Sequence, residues 1–138
     1  MRLLFSFLIL LFSTSLWADN KLDLENAWIR QAPPMAKNLA GYGLLKNISP
    51  ETIRVVAISS ASFEKVEMHI TSFDNGMMKM QEVKVLELRS GESEEFEPGG
   101  RHFMMIKPKK PIKAGMKIPL KVTLESGEIY QFEMQVRK

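Results

Sequence analysis

Apolar residues along this chain recur at every second position in short runs, and no stretch sustains the three-to-four residue spacing of an amphipathic helix. The runs are bounded by Gly, Pro, Asn and Asp, the pattern of an all-β sandwich or barrel. Strands are predicted at Ala27 to Arg30, Ala40 to Lys46, Thr52 to Ser59, Lys65 to Thr71, Met77 to Leu88, Glu94 to Phe96, Arg101 to Ile106, Ile118 to Leu124 and Glu128 to Val136. The last two form the clearest hairpin: Ile118, Leu120, Val122 and Leu124 alternate before Glu125-Ser126-Gly127, and Tyr130, Phe132, Met134 and Val136 alternate after it. Pro119 places the start of that hairpin at or near a sheet edge, and Lys107-Pro108-Lys109-Lys110-Pro111 reads as a solvated connecting loop. So many short strands imply a Greek-key fold of one domain, residues 19–138.

The first 18 residues have a different pattern. Arg2 precedes an apolar run from Leu3 to Phe12, then come Ser13, Thr14 and Ser15 and a small residue, Ala18, before Asp19. This is the layout of a cleavable secretory signal peptide, and the run is well short of the ~20 residues that span a bilayer. A soluble exported protein is expected, periplasmic in a bacterium with two membranes. With no cysteine in the chain, no lipid-anchored form is expected.

Composition then removes whole classes of function. The absence of cysteine excludes disulfides, thiol nucleophiles, iron–sulfur ligation, thiolate zinc sites and a cupredoxin electron-transfer site of the His2Cys type. The charge of +3 falls to +2 without Arg2, 18 basic residues against 16 acidic, too balanced for a nucleic-acid binder. No Ser-His-Asp order, phosphate loop or paired-acid motif stands out, so an enzyme is poorly supported.

What chemistry remains lies in two histidines and ten methionines. In Lys65 to Thr71 the apolar residues Val66, Met68 and Ile70 share one face, which turns His69 away from the core together with Glu67 and Thr71. Asp74-Asn75-Gly76-Met77 is a hairpin signal. With Asn75 and Gly76 at its centre, Met80 lies opposite Thr71 and diagonal to His69, roughly 7 to 8 Å away along the backbone and within side-chain reach. Val83 and Val85 mark the core side of that second strand, so Met80 occupies a position where a polar residue would be expected. In Arg101-His102-Phe103-Met104-Met105, His102 and Met104 project to one face. Two ligands from each hairpin strand set would make a site of two nitrogens and two sulfurs. Thioethers are soft and suit Cu(I), whereas zinc takes thiolate, imidazole or carboxylate, and calcium and magnesium take oxygen. A site without thiolate would also permit handover to a thiolate-bearing acceptor.

From His69 to Met104 the chain reads His, ten residues, Met80, twenty-one residues, His102-Phe103-Met104. This resembles, without a gap, the H-x10-M-x21-H-x-M signature of the PCu(A)C periplasmic copper chaperones. Ala27-Trp28-Ile29-Arg30 with Pro33-Pro34, Ala40-Gly41-Tyr42 with Asn47, Val66-Glu67-Met68-His69, Gly76-Met77-Met78-Lys79-Met80 and Pro98-Gly99-Gly100 are similar to that family too, so the likeness runs from about Asn26 to the C-terminus. The resemblance implies a cupredoxin-like β-sandwich and one Cu(I) held by His69, Met80, His102 and Met104 at an exposed surface site. Met68, Met77, Met78 and Met105 would then be core or supporting residues. It further implies delivery of copper to the CuA-bearing subunit of cytochrome c oxidase, alongside Sco-type thiol proteins, by a monomer that is not an enzyme. The His- and Met-rich tail of some members is not matched by Gln135-Val136-Arg137-Lys138, so Cu(II) loading through it is not expected. Two other readings remain: copper sequestration without a dedicated acceptor, and a secreted β-sandwich that binds a protein partner and no metal.

Overall fold

Alternation along each strand decides which side is buried, and pairing between strands then decides what meets on the other side. The computed structural model describes residues 19–138. The expected leader, residues 1–18, lies outside the described residues. Ten strands and no helix occur among the described residues: β1 (Leu22–Arg30), β2 (Asn38–Asn47), β3 (Ile53–Ser59), β4 (Phe63–Asp74), β5 (Met77–Glu82), β6 (Leu86–Leu88), β7 (Ser93–Phe96), β8 (Arg101–Pro108), β9 (Lys117–Leu124) and β10 (Ile129–Arg137). They run in the order β5-β4-β8-β7-β2-β1-β10-β9-β3-β6, β8 also pairs with β2, and a β3–β4 contact at Ile58 and Val66 closes the sheet on itself. The all-β expectation is met.

The interior is one cluster of apolar side chains, with Phe63, Phe103, Leu45, Leu120, Met105 and Met134 among its fully buried members. Phe96 stacks on Phe103 at 4.1 Å between ring centres and 13° between planes. In the C-terminal hairpin Met134 pairs with Ile118, Phe132 with Leu120 and Tyr130 with Val122. The inward residues of β9 are all buried, while Tyr130 and Phe132 are half-buried. At the other end of the sheet Asn75 and Gly76 take φ of 50° and 76°, the conformation of a two-residue type I′ turn. Thr71 accordingly pairs with Met80, the register read from the Asn-Gly turn.

Four local expectations change. The predicted strand Met77 to Leu88 is two strands: after Glu82 the Val83 N–H donates to the Met68 carbonyl at 2.8 Å, and the chain crosses to the opposite end of the sheet, where Leu86 and Leu88 pair with Val55 and Ile53. Val85 lies in that crossing and is exposed, so it does not mark a core face. Pro119 sits in an interior strand, between β10 and β3, but precedes Lys121, where the β3 pairing begins, so its missing N–H costs no ladder bond there. Lys107 and Pro108 end β8 rather than opening a loop, with Pro108 opposite Phe63. The first strand begins at Leu22, five residues earlier than predicted, because a β-bulge disguises its alternation. Asn26 and Ala27 together face Gly43, which moves the inward positions from Leu22 and Leu24 to Ile29. A Cβ on Gly43 would lie 3.1 Å from both Ala27 Cα and the Glu25 carbonyl oxygen, so any other residue would push the bulge backbone away.

Asn47 is the polar anchor of this framework. It is 1% exposed, its Nδ2 donates to the carbonyls of Glu51 (2.7 Å), Leu88 (3.0 Å) and Arg89 (2.9 Å), and its Oδ1 accepts from Ser49 N–H and Oγ–H. One amide thus satisfies the buried backbone where β2, β6 and two turns meet. Asn47→Ala leaves those carbonyls bare and should cost about 2–4 kcal/mol. Asn47→Asp should also destabilise, because an acceptor then faces three acceptors. Urea unfolding checks both, with the midpoint falling and the slope kept. Gly43→Ala should destabilise by a similar ~2–3 kcal/mol through displacement of the bulge backbone, read by the same titration.

Candidate metal centre

Burial of Met68 against Phe103 and of Val66 against Met105 sets the register between β4 and β8, and it turns the alternate residues outward. His69 lies directly opposite His102, and Glu67 opposite Met104. On the other flank of β4, Met80 pairs with Thr71, so it shares this outer face on the diagonal from His69. All four residues singled out by the sequence therefore stand on one face of three adjacent strands. The two imidazole rings are 5.7 Å apart at an interplanar angle of 64°. Met104 is half-buried and Met80 is 50% exposed, at the edge of the cluster. His102 is 5% exposed, so only part of the set is open to solvent.

Each histidine has one nitrogen engaged and one free. The His69 Nε2–H donates to Glu67 Oε2 at 2.7 Å, and the His102 Nδ1–H donates to the Gly100 carbonyl at 3.2 Å. Both acceptors lack a proton to give, so the engaged nitrogen carries the hydrogen in the neutral ring. What remains is the lone pair on His69 Nδ1 and on His102 Nε2. These two are the buried side-chain polar atoms without a hydrogen-bond partner among the described residues. A carboxylate or carbonyl behind each imidazole is the usual arrangement for orienting a metal ligand.

Glu67 is itself held. It forms an ion pair with Lys65, and the Lys65 ammonium first and His69 second keep its carboxyl below the usual range, against the opposing effect of burial. Sequence reading placed Glu67 on the His69 face but gave it no role; a Glu two residues before an outward His on a strand was the available signal. The Gly100 carbonyl carried no such signal, because its position depends on the turn that precedes β8.

The donor set suits a soft ion. Among the described residues no group of three or more His, Cys, Asp or Glu side chains is arranged to hold a metal, which leaves thioethers to complete any shell around the two nitrogens. Two imidazoles sharing one ion at ~2 Å have ring centres about 5–6 Å apart, the spacing seen here. A cleft of about 360 Å3 lies beside the site, between Val56–Ile58 and Lys65–Met68; its lining includes Glu67 but neither histidine. Of the other methionines, Met68 and Met105 are core residues, whereas Met77 and Met78 are exposed on β5 and do not support the site from within.

A family model described as "Putative lipoprotein LpqE-like" matches residues 22–136. The chain is 30% identical over 107 residues to the "Putative lipoprotein Lxx21020" of Leifsonia xyli subsp. xyli, an alignment covering 77% of this chain and 63% of that relative. The chain thus spans less than two-thirds of that relative's length. Among solved structures it is similar to the copper-bound PCuAC domain from PmoF2, with a TM-score of 0.70 at 19% identity over 86% of this chain and 93% of that domain. It is also similar to the Cu(I) form of DR1885 from Deinococcus radiodurans, with a TM-score of 0.65 at 23% identity over 82% of this chain and 76% of that one. Matched along nearly all of its described strands and folded as the PCuAC domains are, this chain belongs to the LpqE-like family.

Proposed function

We propose that this protein is an exported Cu(I) metallochaperone in which residues 19–138 form the copper-binding domain and residues 1–18 are a leader removed on export. One Cu(I) is its cargo, held by nitrogen from His69 and His102 and by sulfur from Met80 and Met104. The observation that carries this reading is the pair of buried, unpartnered ring nitrogens on directly paired strand residues. Leaving a buried polar atom unsatisfied costs about 1–3 kcal/mol, and an ion bound by both rings of this directly paired couple would satisfy the two at once. Copper-bound forms of two domains with this fold support the identity of the ion.

The same geometry favours transfer over storage. His69 and His102 are oriented from behind by Glu67 and Gly100, which limits the rearrangement that binding would require. Met80, half in solvent, is the donor an incoming ligand reaches first. With thioethers in place of thiolates, a dithiol acceptor out-competes the site without any change in copper oxidation state. We assign the CuA centre of cytochrome c oxidase as the destination, reached directly or through a Sco-type thiol protein, with the periplasm as compartment.

In the metal-free protein at pH 8, long-range proton–nitrogen spectra should show His69 protonated on Nε2 and His102 on Nδ1. Equal Nε2–H forms for both would mean that the two lone pairs are not presented as described. Anaerobic Cu(I) titration against a competing chelator should give one copper per chain, with mixed nitrogen and sulfur scattering at the copper edge. Because loss of a residue behind a ligand already costs 10–100-fold, Met80→Ala with Met104→Ala should weaken binding by about 100-fold or more. Binding unchanged by that pair would remove the site. Copper passing from the loaded protein to an apo CuA domain identifies a chaperone, whereas retention in its presence identifies sequestration.

A further inference from the structure

The outer face that carries the histidines continues across β2, β1 and β10. Met104 pairs with Ala40 on β2, Tyr42 is the next outward residue there, and Tyr42 pairs with Trp28 on β1. Beyond Trp28 the outward position is Arg30, which pairs directly with Arg137 on β10. The bulge at Asn26 and Ala27 produces this arrangement, since it brings Ile29 to the core and so turns Trp28 and Arg30 outward.

The chemistry of this patch is unusual for a surface that serves only the fold. Trp28 and Tyr42 pack at 4.8 Å. The Arg30 guanidinium lies 5.8 Å from the centre of each ring, and that of Arg137 lies 5.7 Å from Trp28. Two like charges on directly paired strand positions repel, and neither guanidinium forms an ion pair among the described residues. Both residues are exposed. The rings hold the two cations in place, and no carboxylate among the described residues pairs with either.

We propose that Arg30, Arg137 and the half-buried Trp28, packed on the buried Tyr42 ring, form a docking surface for an acidic protein partner, one whose face sits over the metal centre when bound. Strands spaced about 4.8 Å put β1 about 10 Å from β8, whereas a standard interface of ~800 Å2 per partner is about 30 Å across. A partner with carboxylates on the arginines therefore also covers His102 and Met104, across the small Ala40 side chain. The identity of the partner as the copper acceptor rests on the Cu(I) reading, whereas docking itself needs no metal. In the transfer step copper stays Cu(I). Two copper–thiolate bonds form on the acceptor as the bonds to nitrogen and thioether break, and the thiol protons pass to buffer.

Two probes separate these layers: an Asp/Glu-rich peptide containing a Cys-x-x-Cys pair, and its analogue with every acid replaced by Asn or Gln. In low salt, the acidic peptide should shift the Trp28 indole and Arg30 amide signals of the metal-free protein. The response should fade by about 0.3 M salt and disappear in Arg30→Gln/Arg137→Gln, while Arg30→Lys/Arg137→Lys keeps most of it. In the copper-loaded protein the acidic peptide should take Cu(I) about fivefold faster than the neutral one, an advantage lost in the Gln pair with affinity for a chelator unchanged. The docking surface is refuted by an absent response to the acidic peptide, by one that the Gln pair retains, or by one that the Lys pair loses equally. Citrate reproducing the shifts would make the patch a small-anion site, and arginine-dependent binding to phosphatidylglycerol vesicles without a peptide response would make it a membrane contact; either overturns the proposal. Peptide shifts in a protein that takes up no Cu(I) would uphold the docking surface and remove the copper reading alone.

Discussion

The register between β4 and β8 is the constraint on which the rest of the molecule depends. Met68, Phe103, Val66 and Met105 are buried on one side of this pair, and a slip of one residue would expose all four. Hydrophobic burial therefore fixes the outward parity of His69, His102, Glu67 and Met104 as firmly as it fixes the core. The site is a by-product of core packing in the sense that no loop needs to fold over to assemble it. Donors carried on strands of a closed sheet are held more precisely than donors on loops.

Around that register, two kinds of polar support divide the work. Behind His69 stands a carboxylate, kept ionised by Lys65, and behind His102 stands a backbone carbonyl. Each takes the ring proton, and each leaves the other ring nitrogen, His69 Nδ1 or His102 Nε2, without a partner among the described residues. The sulfur donors have no such support: Met104 is held by strand position alone, and Met80 extends from a two-residue hairpin into solvent. For the proposed Cu(I) cargo, a rigid nitrogen pair with adaptable thioethers would serve both recognition and release.

The β-bulge in β1 links this centre to the rest of the outer surface. By absorbing one residue opposite Gly43, it turns Leu22 and the half-buried Leu24 before the bulge and Ile29 after it toward a single core. The same parity change gives the aromatic and arginine residues their place on the face of the metal centre. A glycine closely overlain by the bulge backbone thus governs residues two strands away from His102 and three from His69.

Local alternation and turn chemistry sufficed to derive the all-β class, the C-terminal hairpin, the Asn-Gly register and the outward faces of His69, Met80, His102 and Met104, because each depends only on a period of two and on turns with φ above zero. Resemblance of spacing added the expectation that these four act together. Alternation could not reveal the direct pairing of His69 with His102, since the two lie far apart in the chain and meet only when the core aligns β4 with β8. It misread Val83 to Val85 as strand because the crossing to β6 is made by β-branched residues, and it missed Leu22 to Asn26 because a bulge breaks the period it relies on. The roles of Glu67 and the Gly100 carbonyl were likewise hidden, for a hydrogen bond depends on distance and direction in three dimensions. Residue type and periodicity determined which donors this protein has and which way they face; tertiary packing decided which of them meet and which nitrogen of each ring is left free, because register and hydrogen-bond geometry are set by contacts between segments remote in sequence.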